Sequence, residues 1–299
     1  MRNKFINFLI DQKKIGHEIF LLVGDLGFSV VEPFSDLYPD SFINIGVAEQ
    51  NMAGIAAGIA SEGKNVFTYS IGNFNTFRCA EQLRNDIDYH DFPVCTVIVG
   101  GGVAYGNMGY SHHAIQDFSL MRSMPNTLIC SPCDPMETEL CLDLIIKRSK
   151  PSYLRLHKAG ESIISFSNSP IVPGEPRYLI GNRNASNLIL TTGFSAQKLY
   201  ERVAKTDNYC LYSMPAWGLR HREFITKSSW INSFENIYTV EDHLLDGGFT
   251  SWILECLINF KNPPNIIPKT LPDEVIGLVA KEETIHKVAN IFDIDGLPY

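Results

Sequence analysis

The sequence predicts an α/β protein with two domains, each built on a mostly parallel sheet flanked by helices. Short apolar runs typical of buried strands alternate with longer stretches of helical character, a pattern typical of a parallel sheet covered on both faces. The chain has 299 residues, the length of two ordinary domains. Residues 161–186 are rich in Ser, Asn, Pro and Gly, so we predict a linker there, between domains at 1–160 and 187–299.

The first predicted domain begins with an amphipathic helix and continues as alternating strands and helices. The run after Glu49 carries no charge before Glu62, which predicts a helix that is buried on most sides. Gly54 and Gly58 lie on one face of it, where we expect another backbone to approach closely. The predicted strands are 19–27, 41–47, 64–70, 93–102 and 151–158, and the other predicted helices are 77–91 and 134–149.

The second predicted domain repeats this pattern with fewer elements. Strands are predicted at 187–197, 208–215 and 235–243, with a helix after the first of them and another from Gly248. In open sheets of this kind, ligands bind at the carboxyl ends of the strands. The segments that follow predicted strand ends in the first domain are therefore the expected places for a site: 24–28, 70–77, 100–113 and 156–158.

Charge and cysteine content narrow the range of functions. The net charge is −8 and the pI about 5.5, which argues against a nucleic-acid or anionic-membrane surface. The seven cysteines fit no disulfide framework, and Cys130 and Cys133 form a CxxC pair without a second one, so we expect free thiols in a cytoplasmic protein. The apolar N-terminal patch is too short and too interrupted for a signal peptide or a membrane span.

Four features fall at the predicted strand ends. They are Glu49 at a helix start, the aromatic run SIGNFNTFR (70–78), the Gly-rich GNMGYSHHAIQD (106–117) and the turn GDLGF (24–28). Taken singly, each has a structural explanation: a helix cap, core aromatics, surface histidines and a tight turn. The histidine pair has no third ligand at helical spacing, so no metal site is predicted in this chain.

Together and in this order, the four features resemble the transketolase family. The resemblance covers nearly the whole chain. Residues 1–160 are similar to the family's pyrimidine-binding domain, and residues 187–299 are similar to its C-terminal domain. The matching stretches are GDLG, FINIGVAEQNMAGIAAGIASEGK, the aromatic run before FRCAEQLRND, GYSHHAIQDFSLMRSMPN, PSYLRLHK, LTTG and IYTVEDHLLDGGF.

The resemblance implies thiamine diphosphate as the cofactor and assigns roles to particular residues. Glu49 would hydrogen-bond a nitrogen of the cofactor's pyrimidine ring, and Phe74 and Phe77 would form an apolar shelf for that ring. His112 matches the histidine that contacts the substrate, and Asp25 matches an Asp-Leu element near the cofactor at the subunit interface. The implied catalytic residues are therefore Glu49 and His112.

The residues implied to contact the substrate depart from the usual family pattern. Besides His112, the candidates are His113, Arg78, Lys158 and Arg155. His113 stands where Gln is usual, and Lys158 stands where an arginine binds the substrate phosphate. Arg155 would point to the opposite face of a regular strand from Lys158, so it contributes only if the strand ends between them.

Two further positions bear on substrate choice. Met108 stands in place of an aspartate four residues before His112, and Gly100 stands in place of a phosphate-binding histidine. The usual preference for sugar phosphates is therefore not implied. A bulkier, less phosphorylated or nucleotide-linked sugar stays open.

The metal-binding part of the family's cofactor site has no counterpart in this sequence. The family holds the cofactor diphosphate through Mg²⁺ or Ca²⁺ bound by a Gly-Asp-Gly element, and no such element occurs here. The resemblance therefore implies that a partner chain, the N-terminal subunit of a split transketolase, binds the diphosphate and the metal. It implies a heterotetramer built on a homodimer of this chain, which would be inactive alone.

The implied reaction is transfer of a two-carbon ketol unit from a ketose to an aldose. Deoxyxylulose-phosphate synthases and the β subunits of 2-oxoacid dehydrogenases share the domain pair, so a decarboxylating enzyme is an alternative. The S-H-H-x-x-x-D-x-x-L-M-R-x-x-P-N stretch follows the transketolase and synthase pattern more closely than the dehydrogenase pattern. A non-catalytic scaffold is the third alternative.

Overall fold

Twelve strands make up the two sheets of the computed structural model, which describes residues 1–298. The strands in the first part of the chain are β1 (Ile19–Val23), β2 (Phe42–Asn44), β3 (Asn65–Ile71), β4 (Val94–Val99), β5 (Leu128–Cys130) and β6 (Ser152–Leu156). Those that follow are β7 (Arg177–Gly181), β8 (Asn187–Thr191), β9 (Tyr209–Ser213), β10 (Ala216–Trp217), β11 (Asn236–Leu244) and β12 (Asn265–Leu271). The predicted α/β class is confirmed.

Ten α-helices connect and cover these strands in the described part of the chain. They are α1 (Arg2–Lys14), α2 (Glu32–Leu37), α3 (Glu49–Ser61), α4 (Ala80–Gln82), α5 (Asp117–Met121), α6 (Pro135–Arg148), α7 (Ser195–Val203), α8 (Glu223–Lys227), α9 (Phe249–Leu257) and α10 (Glu282–Ala289). None of the helices within residues 1–298 has the length and apolar character needed to cross a membrane.

The first sheet has seven strands in the order β10-β5-β6-β4-β3-β1-β2. All neighbouring strands are parallel except β10, which pairs antiparallel with β5. The carboxyl ends of β1, β3, β4 and β6 therefore lie along one edge of the sheet. The segments that follow these ends are the ones in which the sequence predicts a site.

The second sheet has five strands in the order β12-β11-β8-β9-β7, all parallel except β7. The structure differs here from the predicted linker at 161–186, because β7 is an edge strand within it. The predicted division into domains at 1–160 and 187–299 differs from the structure in a second way. β10 follows β9 in the chain, but it joins the first sheet by pairing with Cys130 and Ile129 of β5. A two-residue edge strand carries too little sequence pattern to be predicted.

Helix α3 is buried on one side only. Its buried face consists of small and flexible apolar side chains, Met52, Ala53, Ala56, Ala57 and Ala60, which pack against the first sheet. A Cβ atom added to Gly54 or Gly58 would meet nothing within 4 Å. The expected close approach of a second backbone at these glycines is therefore absent among residues 1–298.

The predicted helix at 77–91 is irregular. A 3₁₀ turn at Phe77–Cys79 leads into α4 and then into a π-helix at Leu83–Asp88. The side chain of Asp88 accepts hydrogen bonds from Asn126 N at 3.0 Å and Thr127 Oγ1 at 2.7 Å, which ties the end of the π-helix to the start of β5. Such π-helical turns are frequent near functional sites.

The two sheets share a packed boundary rather than a flexible connection. Trp217 of β10 is buried and packs against Phe118 and Phe249, with ring centroids 5.1 and 5.4 Å away. Phe118 belongs to α5 and Phe249 to α9, so one aromatic cluster joins elements of both parts. The seven cysteines are all free and buried, as expected for reduced thiols.

Candidate active site

Glu49 is the first residue of α3, and its carboxylate is buried at the edge of the first sheet. The residue is 1% exposed. Arg78 Nη1 donates to its Oε2 at 2.7 Å, and Ser70 Oγ donates to its Oε1 at 3.3 Å. Gly24 passes so close that an added Cβ would stand 3.4 Å from Oε1. A negative charge at a helix N-terminus is favourable, which helps to explain why this carboxylate is tolerated inside the protein.

Arg78 lies against Glu49 and Phe74 rather than extending freely toward solvent. Its Cζ lies 4.5 Å from the centroid of the Phe74 ring, while Nη1 makes the ion pair with Glu49. The side chain keeps 45% of its surface exposed. The sequence predicted Arg78 as a substrate contact, but the structure gives it a direct contact with the predicted catalytic carboxylate.

His112, in the 106–113 segment, packs against Phe74. Its ring is edge-on to Phe74, with centroids 5.2 Å apart, and its Nδ1 lies 3.0 Å from Ser111 Oγ. Burial lowers the pKa of His112, and the neighbouring His113 lowers it further, so the ring is neutral at pH 7. A neutral imidazole beside a partly exposed aromatic ring is suited to exchange hydrogen bonds with a bound molecule.

A cleft of about 740 Å³ opens at Phe77, although Glu49, Phe74, Arg78 and His112 do not line it. Among the residues that line it are Asn73, Phe77 and Tyr110, all from segments predicted to carry the site. Phe77 is 48% exposed, so its ring is available to a ligand. The structure thus brings together Glu49, Arg78, Phe74 and His112 and places Phe77 at an adjacent open wall.

Asp25 lies in the turn after β1. Its backbone is left-handed, with φ +55°, and its exposed Oδ1 accepts a hydrogen bond from Asn44 Nδ2 at 3.1 Å. Within residues 1–298 it makes no hydrogen bond or ion pair with Glu49, although Gly24 before it does approach that carboxylate. Its predicted role near the cofactor remains a prediction.

His113 differs from its predicted role as a substrate contact. The residue is fully buried, and its Nε2 donates to the carbonyl oxygen of Gly106 at 3.2 Å. Its own carbonyl accepts a hydrogen bond from Asn73 Nδ2 at 2.6 Å. His113 therefore fixes the path of the 106–113 segment and positions its neighbour His112, without offering a surface to a ligand in this chain.

Arg155 also differs from its predicted role. It belongs to β6, is 6% exposed, and donates to Asp117 Oδ2 at 2.8 Å and to the carbonyl of Asp242 at 3.0 Å. The strand does end at Leu156, between Arg155 and Lys158, but the guanidinium is enclosed by its partners. Arg155 links the first sheet to β11 and does not reach the Glu49 cluster.

Lys158 lies beyond the end of β6 and is already paired. Its Nζ donates to the carbonyl of Ala104 at 2.7 Å and lies 3.0 Å from Glu282 Oε2. Glu282 Oε1 accepts from His157 Nε2 at 2.8 Å. Burial raises the pKa of Glu282, but its hydrogen bonds and attraction to His157 and Lys158 outweigh that effect and hold the pKa at about 2. A carboxylate thus neutralises the predicted phosphate-binding lysine.

One group of possible metal ligands lies behind this pair. Asp242, Glu282 and His286 each offer a ligand atom, and these atoms lie within 4.8 Å of one another. Because Glu282 already binds His157 and Lys158, we interpret the group as an ion-pair network that joins α10 to the first sheet.

Sequence reasoning missed Ser70 and Asn73. Ser70 ends the buried face of β3 and reaches Glu49, while Asn73 holds the His113 carbonyl. Both stand in the SIGNFNTFR run, where their polar character at a strand end was the available signal. Their partners are 21 and 40 residues away in the chain, which no local pattern reveals.

Relatives of known type match this chain along most of its length. One subunit of the apulose-4-phosphate transketolase of Phocaeicola vulgatus is 28% identical over 279 residues, which cover 91% of this chain and 88% of that protein. The 1-deoxy-D-xylulose-5-phosphate synthase of Aquifex aeolicus is 29% identical over 285 residues, but these cover only 42% of the synthase.

A solved structure described as a split gene transketolase, inactive beta4 tetramer, has the same fold. It superposes with a TM-score of 0.81 at 26% identity and covers 97% of this chain and 93% of that one. The family described as "Transketolase, pyrimidine binding domain" matches residues 6–160, more than half of the 299 residues. This match includes Glu49, Phe74, Arg78 and His112, and by it the chain belongs to the transketolase pyrimidine-binding domain family.

Proposed function

We propose that this chain is the pyrimidine-binding subunit of a split transketolase, which transfers a two-carbon ketol unit from a ketose to an aldose. The observation that carries the proposal is the convergence of the buried Glu49 carboxylate, the Phe74 ring and His112 at one edge of the first sheet. The relative from Phocaeicola vulgatus, which the chain matches nearly end to end, supports the same function.

The family implies thiamine diphosphate, and the residues present fit its pyrimidine ring. When bound, the cofactor supplies a nucleophilic carbon and an electron sink for carbon–carbon bond cleavage. Glu49 would hold a proton between its carboxylate and a ring nitrogen, because its carboxylate is enclosed and has only Arg78 and Ser70 as side-chain partners within residues 1–298. Phe74 and the partly exposed Phe77 would supply the apolar wall.

His112 would act on the substrate. Its lowered pKa favours the neutral ring at pH 7, so Nε2 can donate a hydrogen bond to the substrate while Nδ1 accepts one from Ser111 Oγ. A donor aimed at a substrate oxygen that gains negative charge lowers the barrier by about 3 kcal/mol when it is preorganised. The hydrogen bond from His113 to Gly106 provides that preorganisation.

The diphosphate and its Mg²⁺ or Ca²⁺ would be bound by a partner subunit. The sequence has no Gly-Asp-Gly element, so this chain lacks the family's usual metal-binding motif. The partner would be the N-terminal, diphosphate-binding subunit, in a heterotetramer built on a homodimer of this chain. The open face of α3 at Gly54 and Gly58 supports a further contact with another chain. Free cysteines throughout support a cytoplasmic location.

The substrate would be a sugar whose binding does not depend on an anion at Lys158. That lysine is paired with Glu282, and Met108, 52% exposed, stands where an aspartate is usual. The likeness to 1-deoxy-D-xylulose-5-phosphate synthase keeps a decarboxylating reaction as the second candidate. Consumption of pyruvate with release of CO₂ by the reconstituted complex would favour that second candidate over ketol transfer.

The decisive experiment is titration of thiamine diphosphate and Mg²⁺ into this chain, alone and with the partner subunit, together with assay of ketol transfer. We expect binding and turnover only with the partner. Glu49→Gln should abolish turnover, whereas Glu62→Gln, an exposed change at the other end of α3, should not. Full activity of Glu49→Gln in the complex would overturn the catalytic assignment, and absence of binding with the partner would favour the scaffold alternative.

A further inference from the structure

A second cavity lies in the C-terminal part of the chain, far along the sequence from the Glu49 cluster. It has a volume of about 270 Å³ and is bordered by α7, by α10 and by the segment after α10. Lys198 and Arg202 line it from α7, His286 and Lys287 line it from α10, and Phe292 supplies an apolar wall. Basic groups thus converge on one small cavity in a protein whose net charge is −8.

Two of these cations have no carboxylate partner among residues 1–298. Lys198 contacts the face of the Phe194 ring, 5.3 Å from Nζ, and Lys287 is exposed and makes no ion pair within the described residues. Glu283 and Asp293 also border the cavity, and Asp293 accepts a hydrogen bond from Asn290 Nδ2 at 3.1 Å. The two carboxylates limit the positive field but leave the two ammonium groups available.

Arg202 gives the cavity a fixed wall. Its guanidinium donates to the carbonyl of Phe292, and its Nε donates to the carbonyl of Pro298 at 2.7 Å. These bonds hold the segment after α10 against α7. One side of the cavity is therefore held by hydrogen bonds, and Lys198 and Lys287 also line it.

His286 is the buried polar group of the cavity. It is 6% exposed, and its Nδ1 has no hydrogen-bond partner within residues 1–298. Its Nε2 lies 3.1 Å from Asp242 Oδ1, although the direction between the two atoms falls outside hydrogen-bond geometry. A buried ring nitrogen without a partner is costly, and a ligand that accepts its proton would remove that cost.

We propose that this cavity binds a phosphate group, carried by inorganic phosphate or by a small phosphorylated metabolite. Lys198 and Lys287 would pair with the phosphate oxygens, His286 would donate from Nδ1, and the Phe292 ring would contact the rest of the molecule. The volume admits a phosphate with a few attached carbon atoms, because typical pockets for larger ligands begin at about 300 Å³. Three positively charged or donor groups around one dianion are suited to charge-assisted hydrogen bonds.

The proposed phosphate site is connected to the active-site segment through Asp242. One oxygen of Asp242 faces His286, and the other accepts a hydrogen bond from Val103 N at 3.2 Å. Just before α10, Ala280 N donates to the carbonyl of Gly106 in the same segment. The cavity and the segment that carries His112 therefore share Asp242 as a common contact.

The test is calorimetric titration of inorganic phosphate, and separately of glycerol 3-phosphate, into the full chain at constant ionic strength. We expect saturable binding with a dissociation constant in the millimolar range or tighter. Binding should weaken at least tenfold in Lys198→Ala/Lys287→Ala and stay unchanged in Lys205→Ala/Lys261→Ala, which removes the same charge from exposed positions elsewhere. Phosphate should also shift the ring-proton NMR signal of His286, identified by its loss in His286→Gln.

Each result decides the proposal. Tighter binding of glycerol 3-phosphate than of phosphate identifies a metabolite as the source of the group, and equal binding identifies free phosphate. Non-saturable binding, or equal weakening in both double variants, would overturn the site in favour of general charge screening. Because the titration uses this chain without cofactor or partner, its failure leaves the proposed transketolase function untouched.

Discussion

Arg78 Nη1 lies 2.7 Å from Glu49 Oε2, and the same guanidinium lies over the face of Phe74. In the chain alone, one cation thus contacts both groups that the proposed function assigns to the pyrimidine ring. The pair must open before Glu49 Oε2 and that face of Phe74 can accept a ligand. Arg78 is therefore a positioning residue for Glu49 in the free chain.

The first prediction is that Arg78→Gln tightens cofactor binding to the reconstituted complex. A half-exposed ion pair contributes about 1 kcal/mol, so its removal should lower the dissociation constant about fivefold. Calorimetry with thiamine diphosphate and Mg²⁺ measures the change, and Arg84→Gln, an exposed arginine on the following helix, is the control. If Arg78→Gln binds thiamine diphosphate more weakly and Arg84→Gln does not, Arg78 contacts the cofactor directly.

The second prediction concerns His112. The pKa of His112 is lowered below its ordinary value of 6.5 by burial and by His113, so the ring is half protonated only at a pH below that value. We expect kcat to be flat from pH 7 to 8 and to decline at lower pH as the ring becomes charged. In His112→Gln, kcat should fall about 10²–10³-fold and lose this acid limb. An unchanged acid limb in the variant would assign it to another group.

The third prediction separates a structural from a substrate-binding role for Arg155. Arg155→Met would leave Asp117 buried without its charged partner, so the free energy of unfolding should fall by about 3–5 kcal/mol. Urea denaturation measures this loss. Lys158→Met removes a partly exposed charge just beyond the same strand and leaves Glu282 paired with His157, so it should lower the free energy of unfolding by less than Arg155→Met does. If Arg155→Met keeps its free energy of unfolding and raises KM, Arg155 has the substrate-binding role instead.

The fourth prediction concerns acid stability. The pKa of Glu282 is about 2 in the folded chain against 4.5 ordinarily, because His157 and Lys158 outweigh the effect of burial. A depressed pKa stabilises the folded state above pH 4.5, and this stability is lost as the pH falls from 4.5 toward 2. The shift corresponds to about 3 kcal/mol. Glu282→Gln should therefore be less stable at pH 7 and lose less stability between pH 5 and 3.

Guanidinium denaturation at these pH values measures the Glu282 effect, with Glu274→Gln as an exposed control that should resemble the unaltered chain. Equal pH dependence in the Glu282 variant and the unaltered chain would contradict the proposed ion-pair network.

Much of the fold was predictable because its central strands carry continuous apolar runs. β1, β4 and β6 lie within predicted strands, β3 extends one residue beyond its predicted strand, and α6 lies within the predicted helix at 134–149. β5, with three residues, and the partly exposed β12 and α10 were not predicted, because short or amphipathic surface elements have weaker patterns. β7 was not predicted because it lies within a polar segment whose composition is typical of a linker.

The site was predictable only in part. The motif order placed Glu49, Phe74, Phe77 and His112 near one another, and the structure agrees with that grouping. The motif order did not reveal that Arg78 contacts Glu49 or that His113 and Arg155 are buried, because those outcomes depend on contacts between distant segments. The ion pair of Lys158 with Glu282 joins residues more than a hundred positions apart.

The two-residue strand β10 has a consequence for how the protein is made. It completes the edge of the first sheet from a position that follows β9 of the second. During synthesis on the ribosome, residues 1–160 emerge before Trp217 exists to cover β5 and Phe118. The first sheet therefore becomes complete only after β10 has been synthesised. A gene fragment that ends in the 161–186 segment would yield a sheet whose β5 edge is unpaired.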